Sequence, residues 1–367
     1  MSALFLGLIS GTSADGVDAA LVRFDPAIEV IATKKLEYPR DVRQRLLALT
    51  AAAASISLDE FGALDVAVGE CFADAALQLL AEADVAPAAI SAIGSHGQTV
   101  RHRPDGRYPF SLQIGDASVI AERTGICTIA DFRRGDVAAG GQGAPLAPAF
   151  HAAAFSALMP CALLNLGGIA NLSLLNDEQD IVGFDTGPAN CLLDAWNTRH
   201  HGTPCDINGA WASSGCVNTD LLRELLDDPY FSAPAPKSTG REVFNLDWLD
   251  ARLEHHALRA VDVQATLLLL TTRSIANALK RSGSSAQHVF ACGGGVHNAA
   301  LMTSLAAELH PVSLASTSSV GVDPDFVEAA LFAWLAWRRL EYKPGNLPAV
   351  TGARGLRVLG AVHAGSH

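Results

Sequence analysis

The chain has 367 residues, 49% hydrophobic and 17% charged, enough apolar material for large cores and a length that suits two domains. Its formal net charge of −12, with five lysines and twenty-one arginines scattered rather than clustered, argues against a nucleic-acid binder. No run of eighteen apolar residues predicts a membrane span, and seven cysteines without C-x-x-C spacing read as reduced thiols of a cytoplasmic protein. The apolar N-terminus lacks the basic start of a signal peptide and is interrupted at once by Ser10-Gly11-Thr12-Ser13.

Leu4–Ile9, a polar turn Ser10–Gly16 and Val17–Val22 read as strand, turn, strand. Two glycines and three small hydroxyl residues leave backbone N–H groups exposed to a phosphate. Asp15 and Asp18 beside the turn would repel a bare phosphate but suit one that arrives with Mg²⁺. Val17 and Asp18 stand where a Walker A loop needs Lys and Ser/Thr, and a strand rather than a helix follows, which removes the dinucleotide fingerprint. An ordinary hairpin with a polar loop is the alternative at this point.

Glu29–Leu36 predicts a third strand, Asp41–Ala54 a helix, and Leu58–Asp84 a long amphipathic helix with Leu64, Val68, Phe72 and Leu79 at helical spacing. Ala89–Gly94 reads as a buried strand delivering Ser95-His96-Gly97-Gln98-Thr99 at its end, where open α/β sheets place ligand contacts. Ser95 and His96 are neighbours and cannot pair as nucleophile and base, so His96 reads as structural. Gln98 and Thr99 are candidate contacts to a polar ligand. Residues 100–118 read as loop, 117–123 as a short helix and 127–130 as a strand. In Asp131-Phe132-Arg133-Arg134-Gly135-Asp136, a surface ion-pair cluster is one reading, and Arg133 gripping a substrate carboxylate is the other. The glycine-rich stretch 138–145 reads as a flexible crossing between domains.

The second half repeats the pattern: a helix over 146–158, strands at Cys161–Leu166, Ile169–Leu175 and Ile181–Phe184, and a Gly167-Gly168 turn. Asp185, at a strand end ahead of Thr186-Gly187-Pro188, is the most catalytic-looking position. A helix starting near Ala189 would aim its N-terminal N–H groups at the same place. Residues 202–245 show little pattern beyond a helix at 220–226. A long helix over 262–280, a strand at 289–292 and the turn Gly293-Gly294-Gly295 with Asn298 follow, glycines against which a flat ligand could lie. Pro311–Ala315 reads as a strand, Asp323-Pro324 as the start of a last long helix carrying Glu328, and the tail from Pro344 as returning to the first domain.

Six ordered strings, SGTSADGVD, GSHGQTVRHRP, DFRRGDVAAGGQGAP, NLGGIANL, GFDTGPAN and CGGGVHN, resemble the anhydro-N-acetylmuramic acid kinases of the actin/Hsp70/sugar-kinase superfamily along nearly the whole chain. The resemblance implies an α/β fold of two actin-like (ribonuclease-H-like) domains with mixed five-stranded sheets flanked by helices, hinged over an active-site cleft. The expected division is 1–137 with a tail at about 345–367, and 138–344. It implies an ATP- and Mg²⁺-dependent sugar kinase and a homodimer, with Gly11, Thr12, Ser13, Ala14, Asp15, Gly16, Val17, Asp18, Gly167, Gly168, Gly187, Gly293, Gly294, Gly295 and Asn298 around ATP and the metal near Asp18. It places Thr99, Gln98, Arg133, Asp185 and Glu328 on the sugar side, with Asp185 as catalytic base. An ordinary sugar-hydroxyl kinase and an actin-like nucleotide-binding scaffold are the alternatives, since this fold hosts all three.

Overall fold

The computed structural model describes every residue except 1–2, 12–13, 26–27, 51–54, 178–179, 236 and 367. Its contacts divide the chain into two units, Met1–Phe150 with Phe326–His367, and His151–Asp325.

The first unit opens with β1 (Leu4–Ser10), β2 (Gly16–Arg23) and β3 (Glu29–Glu37), an antiparallel meander. β1 and β2 are buried along nearly their whole length, as expected for strands covered on both faces. Helices α1 (Arg40–Thr50) and α2 (Leu58–Glu82) follow. Ser57 caps α2 by accepting the Glu60 N–H, and Leu64, Val68, Phe72, Ala76 and Leu79 form its buried stripe. Next comes β4, which differs from expectation: it runs unbroken from Ile90 to Arg103. The stretch read as loop supplies β5 (Phe110–Ile114), which pairs with the outer half of β4. Its buried residues, Ser111 and Ile114, are three apart, so no alternation of period two marks the strand in the sequence. Helix α3 (Ala117–Thr124), strand β6 (Thr128–Ala130) and helix α4 (Arg134–Ala138) complete this part, and α5 (Ala147–Ala154) leads onward.

The second unit repeats the meander as β7 (Cys161–Leu166), β8 (Ile169–Leu175) and β9 (Ile181–Pro188), followed by α6 (Asn190–His201). The patternless region holds short helices α7 (Ala210–Ser213), α8 (Thr219–Leu226) and α9 (Pro229–Ser232). Then come α10 (Leu246–Leu253), α11 (Ala260–Ser282), β10 (His288–Cys292), α12 (Ala299–Leu309) and β11 (Ser313–Ser316). The leucine run of α11 belongs to the core with Leu164, Leu172, Leu192 and Leu305.

The chain then returns to the first unit through α13 (Val327–Leu340), α14 (Pro348–Thr351) and β12 (Ala361–His363), the last antiparallel to β6. Helix α13 lies on β1 and β4 at Gly7 and Gly94, paired neighbours in the sheet. A Cβ on either would overlap a carbonyl oxygen of the helix, Ala329 or Phe332. This packing assigns residues 326–344 to the first unit, not to the second as the sequence boundaries had it. Asp323 does not cap α13; its carboxylate accepts the Asp325 N–H.

Residues 138–145 are not a loose crossing either. Buried Asp136 accepts Gly143 N at 2.8 Å, Asn346 Nδ2 at 2.7 Å and Thr351 Oγ1 at 2.8 Å, tying the glycine stretch to the returning tail within one unit.

Both sheets carry the same order, third-second-first-fourth-fifth strand, with the first three antiparallel and the last two parallel to the first. This is the duplicated actin-like arrangement. Among the described residues the second sheet has five strands, whereas the first has seven, because β5 and β12 add to it.

Candidate active site

In the first unit, Gly11 faces open space at the β1–β2 turn. Thr12 and Ser13, expected phosphate contacts, lie outside the described residues. Ala14 is left-handed, with φ of 47°, and its N–H donates to Gly11 O at 3.1 Å. That amide closes the turn and is not offered to a phosphate. Gly16 and Val17 are buried in β2, Gly16 against the Leu36 carbonyl, so both act as scaffold. Asp15 pairs with Lys35 at 2.6 Å, whereas Asp18 stands half-buried on β2 opposite Ile9.

Gln98 corrects the expectation of a ligand contact. It is buried, its Oε1 accepts from Ser10 Oγ at 2.6 Å, and its Nε2 donates to Gly11 O at 3.2 Å. Both ends of the amide therefore brace the turn. Thr99, on the opposite face of β4, accepts from Gln113 Nε2 at 3.0 Å, which leaves its own hydroxyl hydrogen to donate. Gln113 also donates to Ser111 Oγ at 2.8 Å, which meets His102 Nδ1 at 3.0 Å. This support sits on β5 and was hidden while the stretch read as loop.

The arginine cluster splits in two. Arg134 makes the surface pair, with Asp131 at 3.4 Å. Arg133 turns inward: its Nε donates to His96 Nε2 at 3.0 Å and its Nη1 to Gly143 O at 2.8 Å. Burial lowers its pKa to about 10, opposed by the charges of Glu328 and Asp136, so it remains a cation at neutral pH. Glu328 is exposed on the first turn of α13.

In the second unit, β9 continues through Asp185 to Pro188. The pairing with β8 steps from Asn171–Asp185 to Ala170–Gly187, leaving Thr186 as a bulge beside Asp185. The segment 237–242 folds over this carboxylate. Thr239 N donates to Oδ2 at 3.0 Å, Asp185 N donates to Lys237 O at 3.0 Å, and Tyr230 donates its hydroxyl to Asp185 O at 2.8 Å. Burial pushes the Asp185 pKa up to about 6, with the Thr239 N–H opposing, Glu242 adding to the rise and Lys237 opposing it. The group is thus ionised at neutral pH yet far more basic than an ordinary carboxylate. Lys237, Thr239 and Arg241 were missed because short turns without periodicity carry no sequence signal.

The start of α6 does not present free amides to an anion. Ala189 N and Cys191 N donate to Gly168 O, and Asn190 N donates to Gly167 O. The positive feature here is instead Arg241, whose Nε and Nη2 lie 2.9 Å from where a Cβ on Gly168 would stand. Gly167 and Gly294 are open to solvent-side approach, whereas Gly187 packs on Phe231 and Gly293 and Gly295 pack on Asn165 and Leu166. Asn298 caps α12, accepting Leu301 N at 3.0 Å. Beside it, between α7, α11 and α12, lies a cavity of about 570 Å³ lined by Ala212, Leu268, Ala299, Asn208 and Thr303 among others. Its apolar walls with a few polar groups suit a flat heterocycle.

The family model described as anhydro-N-acetylmuramic acid kinase matches residues 3–365. The anhydro-N-acetylmuramic acid kinase of Xanthomonas campestris pv. campestris (strain 8004) is 54% identical over 367 residues, covering 99% of this chain and 97% of its own. Those of Xylella fastidiosa (strain Temecula1) and Coxiella burnetii (strain Dugway 5J108-111) are 53% and 49% identical, across 98% of this chain and 96% and 97% of theirs. With a likeness that runs through both actin-like units from end to end, the chain belongs to the anhydro-N-acetylmuramic acid kinase family, enzymes that are ATP-dependent sugar kinases.

Proposed function

We propose that this chain converts 1,6-anhydro-N-acetylmuramic acid, water and ATP into N-acetylmuramic acid 6-phosphate and ADP, in cell-wall sugar recycling. In the anhydro sugar, O6 is bonded to C1 and carries no proton for a base to remove. The base must therefore act on water: Asp185 takes its proton as the oxygen attacks C1, the C1–O6 bond breaks, and O6 takes the γ-phosphoryl group. The observation that carries this reading is the half-buried Asp185 carboxylate, raised to about 6 and held by the Thr239 N–H.

For the sugar, Thr99 donates its hydroxyl hydrogen, Arg133 receives the lactyl carboxylate, and Glu328 is a further contact. Gly11, Gly167 and Gly294 give open backbone for the nucleotide, and Arg241 adds positive charge at the Gly168 turn. The α7–α11–α12 cavity next to Asn298 fits the adenine ring in size and polarity. Asp18 fits a magnesium ion, which takes one or two carboxylates and fills its shell with phosphate and water. Bound there, the ion would neutralise phosphate charge. A cytoplasmic location, where ATP is available, and a homodimer belong to the same proposal. Among the described residues no helix is long and apolar enough to cross a membrane.

Asp185→Asn tests the reading: kcat falls about 10²–10⁴-fold while ATP binding, measured by calorimetry, is kept. Turnover within tenfold of the parent would refute Asp185 as the base.

A further inference from the structure

We infer that His96 is the positioning residue for Arg133, and that it forces the guanidinium to meet a carboxylate with its Nη1/Nη2 end rather than its Nε/Nη2 side. The inference rests on the proposed role of Arg133 in holding the substrate's carboxylate. An arginine offers two forks of parallel N–H groups, and each can take a carboxylate bidentately. Here Nε–H is spent on His96 Nε2 at 3.0 Å, so the side fork is closed. One Nη1 hydrogen goes to Gly143 O at 2.8 Å. Nη2 has no hydrogen-bond partner among the described residues. What remains is the end fork.

His96 suits this task chemically. Arginine Nε–H only donates, so His96 Nε2 must accept, which requires the neutral ring with its proton on Nδ1. The ring is buried and lies against Phe332, with centroids 4.5 Å apart. Phe332 sits one turn along α13 from Glu328, so the same helix face clamps the imidazole and carries the neighbouring carboxyl. On the other side, Gly143 takes a φ of +69°, and a Cβ there would press on Val137 and Arg133. Asp136 holds the Gly143 N–H at 2.8 Å, so the second anchor of the guanidinium is itself fixed. Imidazole and carbonyl thus grip Arg133 from two directions and leave one edge to a ligand.

The test compares kcat/KM for the anhydro sugar acid with that for its lactyl methyl ester, in the parent, Arg133→Gln, His96→Leu and His96→Gln. The expected result is that Arg133→Gln removes the preference for the acid. His96→Leu lowers that preference about tenfold through KM for the sugar, with KM for ATP unchanged. His96→Gln, which keeps an acceptor, restores most of it. If Arg133→Gln removes the preference but His96→Leu does not, the positioning role is wrong while the role of Arg133 stands. If Arg133→Gln leaves the preference intact, the role of Arg133 fails and the inference with it. Should His96→Leu fail to fold, ¹⁵N shifts of His96 in the unaltered enzyme decide: an Nδ1–H ring with unprotonated Nε2 supports the inference, and the opposite tautomer or an imidazolium overturns it.

Discussion

At the scale of single residues, the proposal puts the chemistry on Asp185, and the environment of that carboxylate makes two further predictions. The base works only when ionised, so kcat should hold above about pH 6 and decline below it, following the pKa that burial raises. A steady-state pH profile checks this, and an acid limb near the ordinary carboxylate value of about 4 would contradict it. The same shift has a stability sign. A carboxyl whose folded-state pKa lies above its unfolded value favours the protonated native state, so stability is lost as pH rises through the interval from about 4 to about 6. At neutral pH the ionised group therefore costs the fold on the order of 1–3 kcal/mol. Asp185→Asn should melt higher than the parent at pH 7.5 and at the same temperature at pH 4, a pattern that calorimetric scanning would show. Asp185 was legible in the sequence because an Asp-Thr-Gly-Pro run ends a strand. Its partners Lys237, Thr239 and Tyr230 were not, since the first two lie in an irregular segment and Tyr230 on the four-residue helix α9, none long enough to show a period. Gln98 misled for a related reason: sequence shows an amide near a ligand strand, but not that both its ends are already bonded.

At the scale of elements, the strands of both meanders and the long helices were readable from their periods, and their observed bounds fall within a few residues of the expected ones. Others were not. The outer half of β4 carries Gly97, Arg101, His102 and Arg103 in place of an apolar run, and beyond Gln98 it is held extended by its pairing with β5. The ownership of α13 could not be read either, because its stripe of Ala329, Phe332, Ala333 and Ala336 is equally suited to either sheet. Gly7 and Gly94 decide it by letting the helix approach β1 and β4 closely. Gly94→Ala would drive a methyl group into the Phe332 carbonyl, a backbone atom that cannot rotate away. The expected cost is about 3 kcal/mol, read as a lower thermal midpoint. An unchanged midpoint would mean that α13 does not rest on the sheet this closely.

At the scale of the molecule, duplication explains most of the architecture. Each unit has the same strand order, and each places chemistry-bearing residues beside its meander: Gly11 and Asp18 in the first, Gly167 and Asp185 in the second. The departures are additions to the first sheet, β5 and β12, and both support residues that the proposal gives to the sugar. β5 orients Thr99 through Gln113, and the tail that ends in β12 fixes Asp136, which holds the Gly143 turn against Arg133. The coupling of ring opening to phosphoryl transfer is the central claim, and ADP release from MgATP tests it most directly. It is measured with the anhydro sugar, with N-acetylmuramic acid and with no sugar. The account predicts release with the anhydro sugar and little with the other two. Release with free N-acetylmuramic acid instead would contradict it, because Asp185 would then be removing a hydroxyl proton and not activating water.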